Sequence, residues 1–565
     1  MSIHWRLGAL VGALACSLAW VSAPQPAQAC GGMFCDAGPQ SMPVDQSGEN
    51  ILFILDGDTV EVHIQIQYEG DPEQFAWVIP LTAIPDFSIG SEQLFQNLLA
   101  GTVPTYGFDT SQDACMMPAN RFPGAADQSD GDSGIGGLTA GDAEEGDGGP
   151  TVVLRETVGA YEIAVLEGGT AAEVIEWLDT NGYQQDPESE PILEEYLAEG
   201  HLFGAIKLTG GAGVDQIHPI VLRYRSTEPC VPLRLTRIAA VEDMEVRTFF
   251  LGQERMVPAN YRHVLVNPLM IDWLQLGANY KEVITAAVDA QHANGRAFVT
   301  EYAGTSDVVA ADGLSEPQWS PDAFLDASAV ELAAVLQDQG LAACNDWEGC
   351  RLVHPLVGGL VGEFLTLPAG VTVEQYLECP DCTESTPTAW DPAGFADALA
   401  ERVVAPGQHA EQLLERWSYV TRMYTTISPH EMTEDPIFHA RGDLPDVAAI
   451  RQGNRHSRCS GDFIFTLPDG REVFIPMGAG WPQFPAQMPW EEEVAELPAS
   501  GAPVLLADRT AEIDELLAAY NASVGYNPDG CQGCTLEDRG PSHRWALGLL
   551  GLVLGVGLAS RRRSR

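Results

Sequence analysis

Cysteines, carboxylates and histidines are the side chains of this sequence whose types and spacing could support chemistry. Cys379-Pro380-Asp381-Cys382 has the spacing of a redox dithiol, or of half a zinc site completed by Cys344 and Cys350. A redox dithiol works at the start of a helix that follows a buried strand, where the helix end lowers the thiol pKa. Here residues 383–388 are polar and include Pro387, and a structural zinc would need four thiolates. Disulfide pairing is the third reading, and an oxidising compartment favours it. Gly131-Asp132-Ser133-Gly134 echoes the nucleophile motif of trypsin-like proteases. Such a serine needs a rigid oxyanion hole with a positioned histidine and aspartate. Ile135 breaks the expected glycine pair and no matching histidine motif precedes it, so the motif reads as chance.

Asp127, Asp130, Asp132, Asp142, Glu144, Glu145 and Asp147 offer hard oxygen donors suited to weak calcium binding. Their spacing does not follow an EF-hand loop, and a solvated acidic linker is the simpler reading. His201, His218, His263 and His354 lie in or beside apolar strands, and His430, His439 and His456 fall in expected loops. No H-E-x-x-H or comparable pair occurs, so hydrogen-bonded structural histidines are expected. Among the acids, Glu301 in TEYAG, beside Tyr302, has the look of a functional carboxylate at a strand end. A paired structural acid is the competing reading. No pattern implies a cofactor or a resident metal.

The elements that must position these groups follow from composition and pattern. At 565 residues the chain can form several domains, and 29 basic against 80 acidic residues give a formal charge of -51. That surface excludes nucleic acid and anionic lipid as natural partners. Met1 to Ala29 carries Arg6, an apolar run from Leu7 to Val21, and Ala27-Gln28-Ala29, the pattern of a secretory leader cleaved before Cys30. Of 12 cysteines, Cys16 lies in that leader, leaving 12 - 1 = 11, so at least one is free, modified or intermolecular. Export favours disulfides, with Cys30 to Cys35, Cys344 to Cys350 and Cys379 to Cys382 as candidate bridges.

Val60, Val62, Ile64, Ile66 and Tyr68 alternate with Glu61, His63, Gln65 and Gln67, the period of a strand with one buried and one wet face. Ile51 to Leu55 pairs with it across Asp56-Gly57-Asp58 as a hairpin, and Phe75 to Pro80 is a third strand. Gly90 to Leu99 reads as a helix. Residues 124–150 hold seven acids, nine glycines and no basic residue, too little apolar surface to offset ordering entropy, and read as a disordered insertion. Thr170-x-x-Glu173 is a capping box. Strands are expected at Leu202 to Leu208, Ile217 to Tyr224, Leu233 to Val241 and Val246 to Leu251, and Asn279 with Glu282 caps a helix. Asp322 to Gln337, Pro392 to Val404 and His409 to Tyr424 have helical spacing, and Phe463 to Leu467 with Glu472 to Pro476 forms another hairpin. The pattern predicts an α+β chain with mainly antiparallel sheet and a helix-richer C-terminal half. The expected divisions are a leader over 1–29, a core over 30–310, a helix-rich continuation over 311–490, a linker over 491–530 and a tail over 531–565.

The runs CGG-x-F-C, VEVHIQIQYEG to FAWVIP, VGAYEIAVLEGGTAAEVIEWLDTNGY, PLRLTRIAAVEDM, VPANYRHVLVN, GRAFVTEYAG and VTRMYTTISPHEMTEDPIF resemble the bacterial family called domain of unknown function 2330. The resemblance extends from Cys30 to about residue 490. It implies an exported protein and supplies no catalytic residues, because the family has no assigned activity. After Cys531 and Cys534 comes a polar spacer, an uncharged run from Trp545 to Ala559, then Ser560, Arg561, Arg562, Arg563, Ser564 and Arg565. As a helix that run spans only about 22 Å of a hydrocarbon core about 30 Å thick. The arrangement resembles the C-terminal sorting signals of myxobacterial surface proteins. That implies handling by a protein-sorting machinery and anchoring to the outer membrane or cell envelope. The alternative is a periplasmic protein held by its tail in the inner membrane. The expected function is binding or structural at the envelope, and its alternative is a secreted hydrolase whose site forms only in three dimensions.

Overall fold

A computed structural model describes residues 48–65, 76–114, 149–183, 189–209, 216–226, 228–237, 240–345, 349–383 and 389–526. The expected hairpin forms from β1 (Gly48–Asp56) and β2 (Thr59–Gln65), paired from Asn50 opposite Gln65 to Asp56 opposite Thr59. Gly57 adopts φ 68° in the turn, a left-handed conformation that costs glycine nothing sterically. Eight more strands extend the pair into a ten-stranded sheet. These are β3 (Asp86–Ile89), β4 (Ile220–Arg225), β5 (Met244–Gly252) and β6 (Arg262–Val266). They continue as β7 (Ala297–Thr305), β8 (Tyr419–Ile427), β9 (Glu491–Glu496) and β10 (Val504–Asp508). The order is β10-β9-β6-β7-β8-β5-β1-β2-β4-β3. Only β1 with β5 and β6 with β7 run parallel within it, so the sheet is mainly antiparallel and the fold is α+β.

Both faces of the central strands are covered. Ile51, Phe53, Val60, Val62 and Ile64 pack against Trp77, Ile79, Ile163 and Ile206 of a second, antiparallel sheet. That sheet consists of Ala76–Leu81, Leu202–Leu208, Tyr161–Glu167 and Thr151–Val158, so the stretch after the hairpin joins the second layer instead of extending the first. The opposite face, carrying Leu52, Ile54, Phe249 and Leu251, lies under two helices. One is α1 (Glu92–Thr102). After α2 (Tyr280–Val288), which packs beside β6 and β8, the other is α3 (Ala405–Arg416). Fully burying one large aliphatic side chain is worth about 1.5–3 kcal/mol, and each face of β1 buries several. Glu61, His63 and Gln65 are therefore only 7%, 1% and 7% exposed, which corrects the wet face expected of them. Their alternation separates two faces of a strand, and here both are interior.

Other departures have equally local causes. Leu233–Thr236 is a helical turn, not the start of a strand; it aims Leu233 into the core between the sheets and Leu235 into the core under the outer helices. The run expected as one helix from His409 ends at Arg416, and the β-branched and aromatic sequence from Tyr419 becomes central strand β8. Residues 491–530, expected as a linker, contain β9, β10 and the helix Thr510–Ser523. The division expected near residue 310 falls between β7 and β8, which are hydrogen-bonded neighbours. Residues between Trp319 and Val403 pack around a helical core of their own. Cys344 bonds Cys350 and Cys379 bonds Cys382 within it, as expected. The capping box is present: Thr170 Oγ1 accepts from the Glu173 amide while Glu173 Oε2 accepts from the Thr170 amide. Among the described residues no helix is long and apolar enough to cross a membrane.

Candidate functional site

The alternation of β2 places Glu61, His63 and Gln65 side by side on the face covered by α1 and α3. Gln65 accepts from Asn50 Nδ2 at 2.7 Å and donates to Glu92 at 2.6 Å. Burial raises the Glu92 carboxyl to about 7 against that hydrogen bond. Four residues back along β2, Glu61 Oε1 accepts from His63 Nε2 at 2.8 Å and from His409 Nε2, on α3, at 2.6 Å. The two imidazoles lie parallel within 6°, with ring centroids 5.9 Å apart. Burial opposes ionisation of Glu61, but hydrogen bonds from His409 and His63 outweigh it and hold the carboxyl far below the usual carboxylate range. Burial also pushes the His63 imidazole below its ordinary value, against the pull of Glu61. Arg223 Nη1 stands 4.0 Å from the other Glu61 oxygen. Among the described residues this is the cluster whose nitrogen and oxygen donors converge, all within 4.8 Å of one another.

Glu301, singled out from the sequence, is closed off. A β-bulge between Thr300 and Tyr302 turns it inward from β7, where it is 1% exposed. Arg422 Nε donates to it at 2.5 Å and Tyr280 Oη at 2.8 Å. Burial and then the Glu301 charge push the Tyr280 phenol well above its ordinary value. No histidine or second carboxylate is recorded at hydrogen-bond distance from Glu301 among the described residues. The arrangement is a buried ion pair reinforced by a phenol.

On the opposite face of β2 a small apolar cleft of about 80 Å³ opens between the two sheets. Val62, Ile64, Ile79, Leu81 and Leu222 line it, and Tyr196, His201, Cys230 and Asp435 supply its polar atoms. Asp435 accepts from Tyr196 Oη at 2.7 Å, from the Arg234 amide at 2.8 Å and from Arg234 Nε at 3.0 Å. Burial raises its pKa in spite of them. Cys230 is a free cysteine, and burial drives its thiol far above the ordinary range, which leaves it protonated and a poor nucleophile. An apolar cavity with a few convergent polar groups has the build of a small-molecule binding site.

The remaining sequence candidates are structural or lie elsewhere. His218 Nε2 accepts from the Ala160 amide, His263 Nε2 contacts Thr300 Oγ1 at 2.9 Å, and His354 Nδ1 accepts from the Leu356 amide. His439 and His456 lie in strands Phe438–Ala440 and Ile450–Ser457, not in loops. Cys30, Cys35, Cys531, Cys534, Arg561, Arg562, Arg563, the serine motif and the acidic run of residues 127–147 fall outside the described residues. Sequence reasoning passed over Glu61, His63 and His409. The signal that was available is Glu61-x-His63, whose period of two puts a carboxylate and an imidazole on one strand face. Nothing local marks His409 as their partner.

An α+β protein of two packed sheets with helices on its outer faces, carrying a buried carboxylate between two histidines, is the class that fold and site define. The chain belongs to the family described as "Uncharacterized protein conserved in bacteria (DUF2330)", whose model matches residues 24–339. That match covers Glu61, His63 and Glu301 and stops short of His409 and of the residue near 490 to which the resemblance was extended. No curated protein matches the chain. One solved structure, a mutated baculovirus P35 after caspase cleavage, is similar at 10% identity over 40% of this chain and 80% of that one. Its TM-score is 0.22, too low to bear on fold or function.

Proposed function

We propose that this protein is an exported, surface-anchored component of the bacterial envelope that binds a small, largely apolar molecule in the cleft between its two sheets. The observation that carries the binding reading is that cleft, with aliphatic walls and Tyr196, His201 and Asp435 as its polar groups. Concave, mostly apolar sites with a few placed polar groups suit small organic ligands. Export is supported by the leader pattern of residues 1–29 and by the disulfides Cys344–Cys350 and Cys379–Cys382, bonds that persist in oxidising compartments. Anchoring rests on the tail from Cys531 to Arg565, with its myxobacterial-type order of cysteine, apolar run and basic end.

The alternative, a secreted hydrolase with a site assembled only in three dimensions, is favoured by one observation, the convergence of Glu61, His63 and His409. Glu301 gives it no support, being sealed against Arg422 and Tyr280.

Titration with the neutral fluorophore Nile red tests the binding reading. The wild-type chain is expected to give saturable, blue-shifted emission, and Ala83→Trp, which places an indole among the cleft-lining residues, is expected to abolish most of it. Absence of saturable binding to the wild type, or binding that Ala83→Trp leaves intact, would remove the cleft from consideration. Intact mass of the native protein tests the ends: loss of the leader and a cut near Cys531 or Cys534 support surface sorting. Retention of the apolar tail would replace sorting with a plain inner-membrane anchor.

A further inference from the structure

We infer that Glu61, His63 and His409 form a binding site for a divalent transition-metal ion of zinc type, with a fourth coordination position open to solvent. Two imidazole nitrogens and a carboxylate oxygen are the donor set of a hydrolytic zinc centre, in which three protein ligands leave one position for water or substrate. Imidazole donors select zinc and its first-row neighbours over calcium and magnesium, which prefer all-oxygen sites.

The geometry is close to what an ion requires. Zn–N and Zn–O bonds of about 2.0–2.2 Å in a tetrahedron put neighbouring donor atoms about 3.3–3.5 Å apart. The present spacings are 2.8 Å and 2.6 Å from Glu61 to the two histidines, with all three atoms inside 4.8 Å. The required spacing lies within that range, so an ion enters by spreading Glu61 from each histidine by less than about 1 Å. His409 is the ligand free to move, since its side chain is 40% exposed while those of Glu61 and His63 are 9% and 2% exposed. The same asymmetry leaves the open position on the solvent side, beside α3.

Charge favours the ion as well. A buried carboxylate balanced only by hydrogen-bonded imidazoles and by Arg223 at 4.0 Å gains a full divalent partner. One feature limits affinity. His63 Nδ1 is buried without a hydrogen-bond partner among the described residues, so the outer carboxylate or carbonyl that usually orients a zinc-bound imidazole is missing. Outer-shell partners of that kind are typically worth about 10–100-fold in affinity, so binding weaker by that factor than in a fully supported zinc site is expected.

The test uses the full mature chain, stripped with chelator and dialysed against zinc. Because the acidic surface will hold some ions loosely, the reading is the difference between variants. Wild type is expected to retain one more tightly held zinc per chain than His409→Ala, and to bind it at least about tenfold more tightly. His456→Ala, which removes an exposed histidine outside the cluster, should match wild type. Cobalt in place of zinc should give the intense visible bands of a low-coordinate nitrogen-ligated ion in wild type and lose them in His409→Ala. Circular dichroism of His409→Ala, whose altered side chain is partly exposed, confirms that the fold persists. Equal zinc retention in wild type and His409→Ala, or a cobalt spectrum typical of the hexaaqua ion, would overturn the site. The outcome is separable from the cleft reading, because Nile red binding on the other face of β2 does not depend on these residues.

Discussion

Glu301 and Glu61 are both buried carboxylates on central strands, and their neighbours give them opposite characters. Glu301 faces a permanent cation, Arg422, within a closed interior. Removing one member of a buried ion pair leaves the other charge uncompensated, which typically costs about 3–5 kcal/mol. Glu301→Gln is therefore expected to lower unfolding stability by roughly that amount in denaturant titrations. A loss below about 1 kcal/mol would mean that water reaches Arg422 and solvates it. Glu61 instead faces two imidazoles, whose ring nitrogens are metal donors as well as hydrogen-bonding groups. The sequence marks Glu301 by its place in TEYAG and hides Glu61 in an ordinary alternating strand. The difference lies in partners drawn from remote parts of the chain, His409 being 348 residues from Glu61.

At the scale of elements, α3 is the piece that completes the candidate metal site, and its seating depends on one close approach. A Cβ added at Gly407 would lie 1.6 Å from the carbonyl oxygen of Leu314, so a larger residue there must push the helix away. Alanine is the better helix former by about 1 kcal/mol, while forcing extra volume into packed structure costs about 1–3 kcal/mol. The clash is backbone against Cβ and cannot be relieved by a rotamer, so the second effect should win. Gly407→Ala is expected to lower the denaturation midpoint and to weaken zinc retention together, because His409 moves with the helix. A stabilised variant with unchanged zinc binding would show that α3 is not held by this contact. Local signals read well at this scale where they satisfy their own hydrogen bonds, as in the Thr170 capping box and the Gly57 turn. They read badly where burial decides, as at Leu233 and beyond Arg416.

Across the whole molecule, buried imidazoles set the response to acid. His218, His263 and His354 have pKa values pushed to about 4, about 3 and about 4 from 6.5, in each case first by burial. In the unfolded chain they take up protons near 6.5, so their stabilising contribution is present above that pH and is lost as pH falls towards 4. Burial raises Glu92 to about 7 and Asp289 to about 6, and these two act in the opposite sense, gaining stability as pH falls. Three imidazoles, joined by His63, outweigh those two carboxyls, so the unfolding free energy, and with it the denaturation midpoint, should drop between pH 6.5 and 4, the free energy by an amount on the order of a few kcal/mol. A midpoint that held or rose over that interval would show that the histidines are hydrated in the folded state.

What the sequence determined by itself were properties that each segment carries alone: the α+β class, the opening hairpin with its Gly57 turn, the Thr170 cap, the two short-range disulfides and the family; the Asn279 cap expected from the sequence does not form, its side chain bonding Asp272 and Met270 instead. Periodicity, turn residues and cysteine spacing express these without help from distant chain. Tertiary structure alone decided that both faces of β2 are interior, that residues after 310 return to the same sheet, and that His409 meets Glu61 and His63. Those outcomes depend on which surfaces bury each other, and burial is a property of the assembled layers that no single stretch encodes.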